Sequence, residues 1–95
     1  MTEPVKYGRA RSPDREQIDR LLGAIIKERG RAIGQPQFEL ACEVGVSVQQ
    51  LQCYMRGDTR LHAATLYEIA QAQRTPIAYY FDEMERRRGS EPASG

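Results

Sequence analysis

Five segments of the chain repeat their apolar residues at helical spacing, and none alternates with the period of a strand. Ile18, Leu21, Leu22, Ile25 and Ile26 recur every three or four positions and draw one apolar stripe. Ser12-Pro13-Asp14 opens that segment with a hydroxyl cap and a proline suited to the first helical position. Asp14 and Glu16 follow where the positive end of a helix favours acids. This pattern predicts a first helix that stops near Gly30.

Gly34-Gln35-Pro36 restarts the chain, with Pro36 expected at a first helical position. Phe38, Leu40, Ala41 and Val44 give a short second apolar face, and Gly45 suits the left-handed position after a helix end. Ser47 is placed to cap a third helix that runs to about Arg56, ahead of Gly57. Two helices of about two turns, joined by a turn of about three residues headed by Gly45, form a helix-turn-helix arrangement. Asp58-Thr59-Arg60 is a polar loop. Leu61, Leu66, Ile69 and Ala70 mark a fourth helix ending near Gln73. Thr75-Pro76 repeats the cap-plus-proline signature, and Ile77, Tyr80, Phe81 and Met84 supply a fifth apolar face. The expected fold class is all-α, with five short helices.

The 95 residues suffice for one core and leave no room for a second. Residues 1–11, with Lys6, Arg9 and Arg11 against Glu3, read as a flexible basic arm. Residues 12–88 form the predicted domain, and residues 89–95 read as a disordered tail by composition. The arm has two readings, a solvated terminus or a segment reaching a minor groove or phosphates. Overall charge decides nothing, since 14 Lys and Arg face 13 Asp and Glu. No apolar run approaches the ~20 residues of a membrane span, and the start lacks a secretory signal's apolar segment. Cys42 and Cys53 form no CxxC pair, and His62 alone cannot complete a metal set with them. A reduced, cytoplasmic protein without metal or cofactor is expected. No nucleophile–base pair points to an enzyme.

Helix three carries the candidate chemistry. Turned at ~100° per residue, Val48, Leu51, Tyr54 and Met55 fall on one side and are expected to pack inward. Gln49, Gln52, Cys53 and Arg56 fall on the other, with Gln50 on the flank. A carboxamide offers a donor and an acceptor together, which matches adenine N6 and N7 in the major groove. Val48, near the helix start, is also a candidate contact to a thymine methyl. Residues 46–57 contain no acid, so the main repulsion from phosphate is removed. The plain alternative is a solvated face, on which glutamines are common.

The runs Gln37-Phe38-Glu39-Leu40-Ala41, Gly45-Val46-Ser47, Gly57 and Leu66-Tyr67-Glu68-Ile69-Ala70 resemble the Cro/C1-type (XRE-like) helix-turn-helix family of small bacterial and phage regulators. Val48 to Tyr54, Thr59-Arg60-Leu61 and Pro76 to Asp82 look closer still to one branch of it, and the resemblance spans roughly residues 15–84. It implies a five-helix, lambda-repressor-like domain that binds double-stranded DNA as a homodimer on a two-fold symmetric operator. By position, Gln37 resembles the family's backbone-contacting glutamine. Ser47, Val48, Gln49 and Cys53 stand where the family faces the groove, and Thr59 and Arg60 stand in the loop that meets phosphate. Two departures are visible: Met55 stands where the family often has Glu, and the stretch from Arg29 to Gly34 is slightly longer than usual.

Gln49 is the leading candidate for base readout, with Gln50 and Gln52 divided between base and backbone. Arg56 and Arg60 are phosphate candidates; the alternative for them is an exposed ion pair with Asp58. Cys42 is expected to pack between helices two and three, Cys53 to lie outward with a thiol open to oxidation, and His62 to be a loop or helix-start residue. Ile77, Tyr80, Phe81 and Met84 can reach the core, which leaves Tyr79 and part of the cluster for a partner; Ile77, Tyr79, Tyr80 and Met84 are the expected dimer interface, as in relatives. Two function classes follow: a DNA-binding transcriptional regulator associated with the nucleoid, and an antitoxin-like DNA-binding protein that also holds a protein partner.

Overall fold

The strongest apolar stripe forms the longest helix. In the computed structural model, which describes residues 13–90, α1 spans Pro13–Ala32 and buries Leu22, Ile25 and Ile26. It is followed by α2 (Gln37–Val44), α3 (Val48–Arg56), α4 (Ala63–Ala72) and α5 (Ile77–Ser90). There is no strand among the described residues. The predicted five helices are therefore present, in the predicted order. Ser12, the basic arm of residues 1–11 and residues 91–95 lie outside the described residues.

One core joins all five helices. Leu40 and Ala41 of α2, Leu51, Tyr54 and Met55 of α3, Leu66, Ile69 and Ala70 of α4, and Tyr80 and Met84 of α5 cluster around the α1 stripe. α1 packs on α3 and α5, while α2 packs on α3 and α4.

The α1–α3 contact is backbone on backbone. A Cβ at Gly23 would stand 2.3 Å from the Tyr54 carbonyl oxygen and 2.6 Å from that of Met55, closer than any side chain tolerates. At the end of α3, Gly57 takes φ +77 and caps the helix, its N–H donating to the carbonyls of Cys53 and Tyr54. A Cβ there would also meet the Arg20 Cα at 2.8 Å. Only glycine satisfies both demands at that position. Met55 is buried at this junction, where apolar packing holds α3.

A buried polar node closes the other end of the core. Gln73, just past α4, donates through Nε2 to the Ile26 carbonyl at 3.0 Å and accepts from the Tyr80 hydroxyl at 2.6 Å. The Thr75 hydroxyl donates to the Gln73 carbonyl at 2.8 Å and accepts from Arg29 Nε at 3.0 Å. Burial holds the Tyr80 phenol above its ordinary pKa. Thr75 therefore spends its hydroxyl on the node, although its place ahead of Pro76 predicted a cap for α5.

Other expectations are corrected as well. Pro36, predicted at the first helical position, stands instead at the cap of α2, one residue before Gln37, and its carbonyl accepts from the N–H of Glu39 and Leu40. Phe38 is 66% exposed, because an eight-residue helix turns only Leu40, Ala41 and, in part, Val44 inward. Cys42 is exposed and does not pack between α2 and α3. α5 continues to Ser90, two residues past the predicted domain end. Arg87 reaches Glu28 of α1 at 2.6 Å, and Arg88 pairs with Asp14. Within α5, Arg86 holds the Glu83 carboxyl below the ordinary carboxylate range. Such exposed pairs guide the helix more than they stabilise it.

Candidate nucleic-acid interface

The turn between α2 and α3 is set by two caps. Gly45 ends α2 in the left-handed region, its N–H returning to the Ala41 carbonyl, and Ser47 Oγ accepts from the Gln50 N–H at 3.0 Å to start α3. Leu51, Tyr54 and Met55 then anchor α3 from below. Ser47, Gln49 and Gln50 are thereby exposed along its outer side, as the helical phase requires. Val48, divided by sequence between inward packing and the groove-facing side, is 36% exposed and joins this outer surface.

Gln52 and Cys53 are half-buried and already engaged within the chain. Gln52 Nε2 donates to Gln37 Oε1 at 3.2 Å, tying the middle of α3 to the first residue of α2. Arg56 Nη2 lies 3.6 Å from Cys53 Sγ, which places a guanidinium across the thiol. Arg56 Nε also pairs with Asp58 at 2.8 Å, and this pairing raises the Arg56 pKa. Thr59 and Arg60, half-buried in the following loop, continue the same edge. Of the ten residues singled out from the sequence, Ser47, Val48, Gln49 and Gln50 stand open at the head of α3, while Gln37, Gln52, Cys53 and Arg56 are engaged with one another or with Asp58.

One residue of this neighbourhood escaped the sequence reading. Lys27, exposed on α1, lines a recess of about 280 Å³ with Gln37, Gln52, Met55 and Arg56. Periodicity places Lys27 on the polar side of α1, but only the α1–α3 packing brings it beside the start of α2. Among the described residues no group of His, Cys, Asp and Glu could hold a metal ion.

At the far end of the chain, two of the expected dimer residues belong to the core. Tyr80 is fully buried, its hydroxyl spent on Gln73, and Met84 is 6% exposed within the same core cluster. Tyr79 is half-buried, packed edge-on against Tyr80 and capped by the Arg29 guanidinium 5.3 Å from its ring centre. The large apolar side chains that α5 leaves at the surface are Ile77 and Phe81, one turn apart. No helix among the described residues is long and apolar enough to cross a membrane.

This arrangement has counterparts among known proteins. The chain is 42% identical over 69 residues to a Rhodospirillum rubrum protein described as an uncharacterised transcriptional regulator in the ATPase CF(0) region. It is 32% identical over 66 residues to an uncharacterised HTH-type transcriptional regulator of Sinorhizobium medicae. All five relatives matched are named as transcriptional regulators, four of them as HTH-type. The matched segments cover 73% and 70% of this chain but 64% and 48% of those proteins. Most of the curated relatives are thus matched over only about half their length. No family model matches the chain. The fold is shared with the clp gene regulator ClgR of Corynebacterium glutamicum, at a TM-score of 0.74 and 22% identity, over 78% of this chain and 96% of that one.

Proposed function

We propose that this protein is a sequence-specific DNA-binding transcriptional regulator that reads the major groove with α3. The observation that carries the reading is the outer surface of α3: Val48, Gln49 and Gln50 stand exposed ahead of a helix held rigidly from beneath. No acid interrupts residues 46–57. Similarity to proteins named as transcriptional regulators supports it. In this reading Gln49 meets base edges, Ser47, Val48 and Gln50 flank it, and Arg56, Thr59 and Arg60 meet phosphates. Cys53, covered by Arg56, sits at the rim of the contact.

The protein acts as a homodimer on a palindromic operator, with half-sites about one helical turn apart. Ile77 and Phe81, rather than the buried Tyr80 and Met84, offer apolar surface for the second copy. The Cro/C1-type assignment belongs to the same reading.

Selection of bound duplexes from a random pool, with wild type and Gln49→Ala in parallel, tests it. Enrichment of a palindrome in the wild type and loss of one base preference in the variant is the expected result. A well-placed glutamine contributes about 1–3 kcal/mol of discrimination, so the shift is measurable. Binding without enrichment overturns sequence-specific reading. A stoichiometric second protein on purification would favour the antitoxin-like alternative.

A further inference from the structure

A larger recess lies where the α1–α2 turn meets α2 and the end of α4. It measures about 400 Å³, within the roughly 300–1,000 Å³ of small-molecule pockets. None of the ten residues singled out for DNA lines it. Arg29 and Arg74 supply its cations and Glu39 and Glu43 its acids, and among the described residues no ion pair joins them.

Arg29 is held ready for an anion. Its Nε donates to Thr75 at 3.0 Å and its guanidinium lies over Tyr79, 5.3 Å from the ring centre. The side chain is thereby fixed, while Nη1 and Nη2 keep their donors for a ligand. A fixed guanidinium fork suits a carboxylate, which it meets with two parallel bonds. Arg74, just past α4, stands at φ +52, where an L side chain is strained and glycine is not. Its side chain makes no hydrogen bond or ion pair among the described residues that would offset the strain. In the same wall Gln35 donates through Nε2 to the Ala72 carbonyl at 3.1 Å, and its Oε1 is buried without a donor. The wall is therefore short of one N–H or O–H group.

The acids continue beyond this recess. Glu43 and Ala72 also border an adjoining hollow of about 270 Å³, which Glu68 of α4 lines with them. Charge thus runs from two arginines in the first recess to Glu43 and Glu68 in the second. A ligand with an anionic head and a cationic tail matches that order. A simple anion or a simple cation meets one half of it and is opposed by the other.

We propose that the two recesses together bind a free amino acid with a cationic side chain. Arg29 and Arg74 hold its carboxylate, Glu39 takes its α-ammonium, and Glu43 and Glu68 take the cation of its tail. The site shares no residue with α3 and stands whether or not the DNA-binding reading does. A ligand seated there clamps α2, the first helix of the helix-turn-helix, to α1 and α4.

Calorimetric titration of the full chain with L-lysine, L-ornithine and L-arginine tests the site. L-norleucine, which lacks the tail cation, and cadaverine, which lacks the carboxylate, are the controls. At least one of the three basic amino acids should bind with a dissociation constant below about 1 mM. Norleucine and cadaverine should be weaker by about tenfold or more. The amide signals of Gly34, Gln35 and Arg74 should move on binding. Arg74→Gly separates binding from folding: it should melt no lower than the wild type, because glycine accepts the backbone angle, yet bind about tenfold more weakly or worse. Glu43→Gln should bring L-lysine towards the affinity of norleucine. If none of the three binds below about 1 mM, there is no such site. Unchanged affinity in Arg74→Gly overturns the carboxylate seat, and norleucine equal to L-lysine overturns the choice of a basic side chain. Signals that move only elsewhere overturn the location. Nα-acetyl-L-lysine binding as tightly as L-lysine would mean that the α-ammonium is not read and that the ligand is the end of a polypeptide, which overturns the free amino acid.

Discussion

The Tyr80 hydroxyl donates to Gln73 Oε1 at 2.6 Å, and through that one amide α5 is tied to the Ile26 carbonyl of α1. Tyr80→Phe keeps the ring and strands a buried acceptor. We expect a loss of about 1–3 kcal/mol in denaturant unfolding, with the fold retained.

The same phenol sets an alkaline limit. Burial raises its folded pKa above the ordinary tyrosine value of about 10. The unfolded chain therefore releases this proton first as pH rises, so the tyrosine's contribution is intact below about pH 10 and declines from there through the folded pKa. Unfolding free energies of wild type and Tyr80→Phe, followed from neutral to strongly alkaline pH, should converge. Parallel curves would show that the Tyr80 proton is not linked to folding.

Gly23 is expected to resist the smallest of substitutions. Gly23→Ala drives a methyl into the carbonyls of Tyr54 and Met55 and should cost about 1–3 kcal/mol or more. Gly89→Ala, in open space on α5, is the control and should be neutral or mildly stabilising. Equal melting temperatures for the two variants would mean that α1 and α3 separate readily.

Asp58 neutralises the cation at the end of α3 in the free protein. Asp58→Asn releases Arg56 for phosphate, so affinity should rise for every duplex and the salt slope should steepen by about one. Arg56→Gln should do the reverse. If neither variant moves the slope, Arg56 stays clear of the backbone.

Ile77 and Phe81 are exposed enough to be exchanged for polar residues with little cost to the fold. The double change Ile77→Gln and Phe81→Gln should shift sedimentation from dimer to monomer while melting changes by about 1 kcal/mol or less. A dimer that survives the change places the interface elsewhere.

Local pattern carried the helices because each stripe needs only its own residues to be seen. Leu51, Tyr54 and Met55 against Gln49 and Gln50 could be separated by phase alone, which made the outer face of α3 legible. Gln73 could not be read as a core residue: it looks like a polar helix end, and the carbonyl that accepts from it lies 47 positions away. Lys27 was hidden for the same reason, since its neighbours come from α2 and α3. Phe38 was expected inside and lies outside, while Tyr80, divided between core and interface, belongs wholly to the core. Hydrophobicity says that a residue prefers burial, but the length of α2 and the node around Gln73 decide which one obtains it.

The seating of Gly23 against the end of α3 has a consequence for how such a protein can diverge. The pitch of α3 depends on atoms that face α1, whereas Val48, Gln49 and Gln50 face away and support nothing beneath them. Those three positions can be exchanged while the scaffold keeps its angle. A lineage can therefore acquire new target sites through changes at the outer surface alone, and an engineer can graft a different triplet there without repairing the rest.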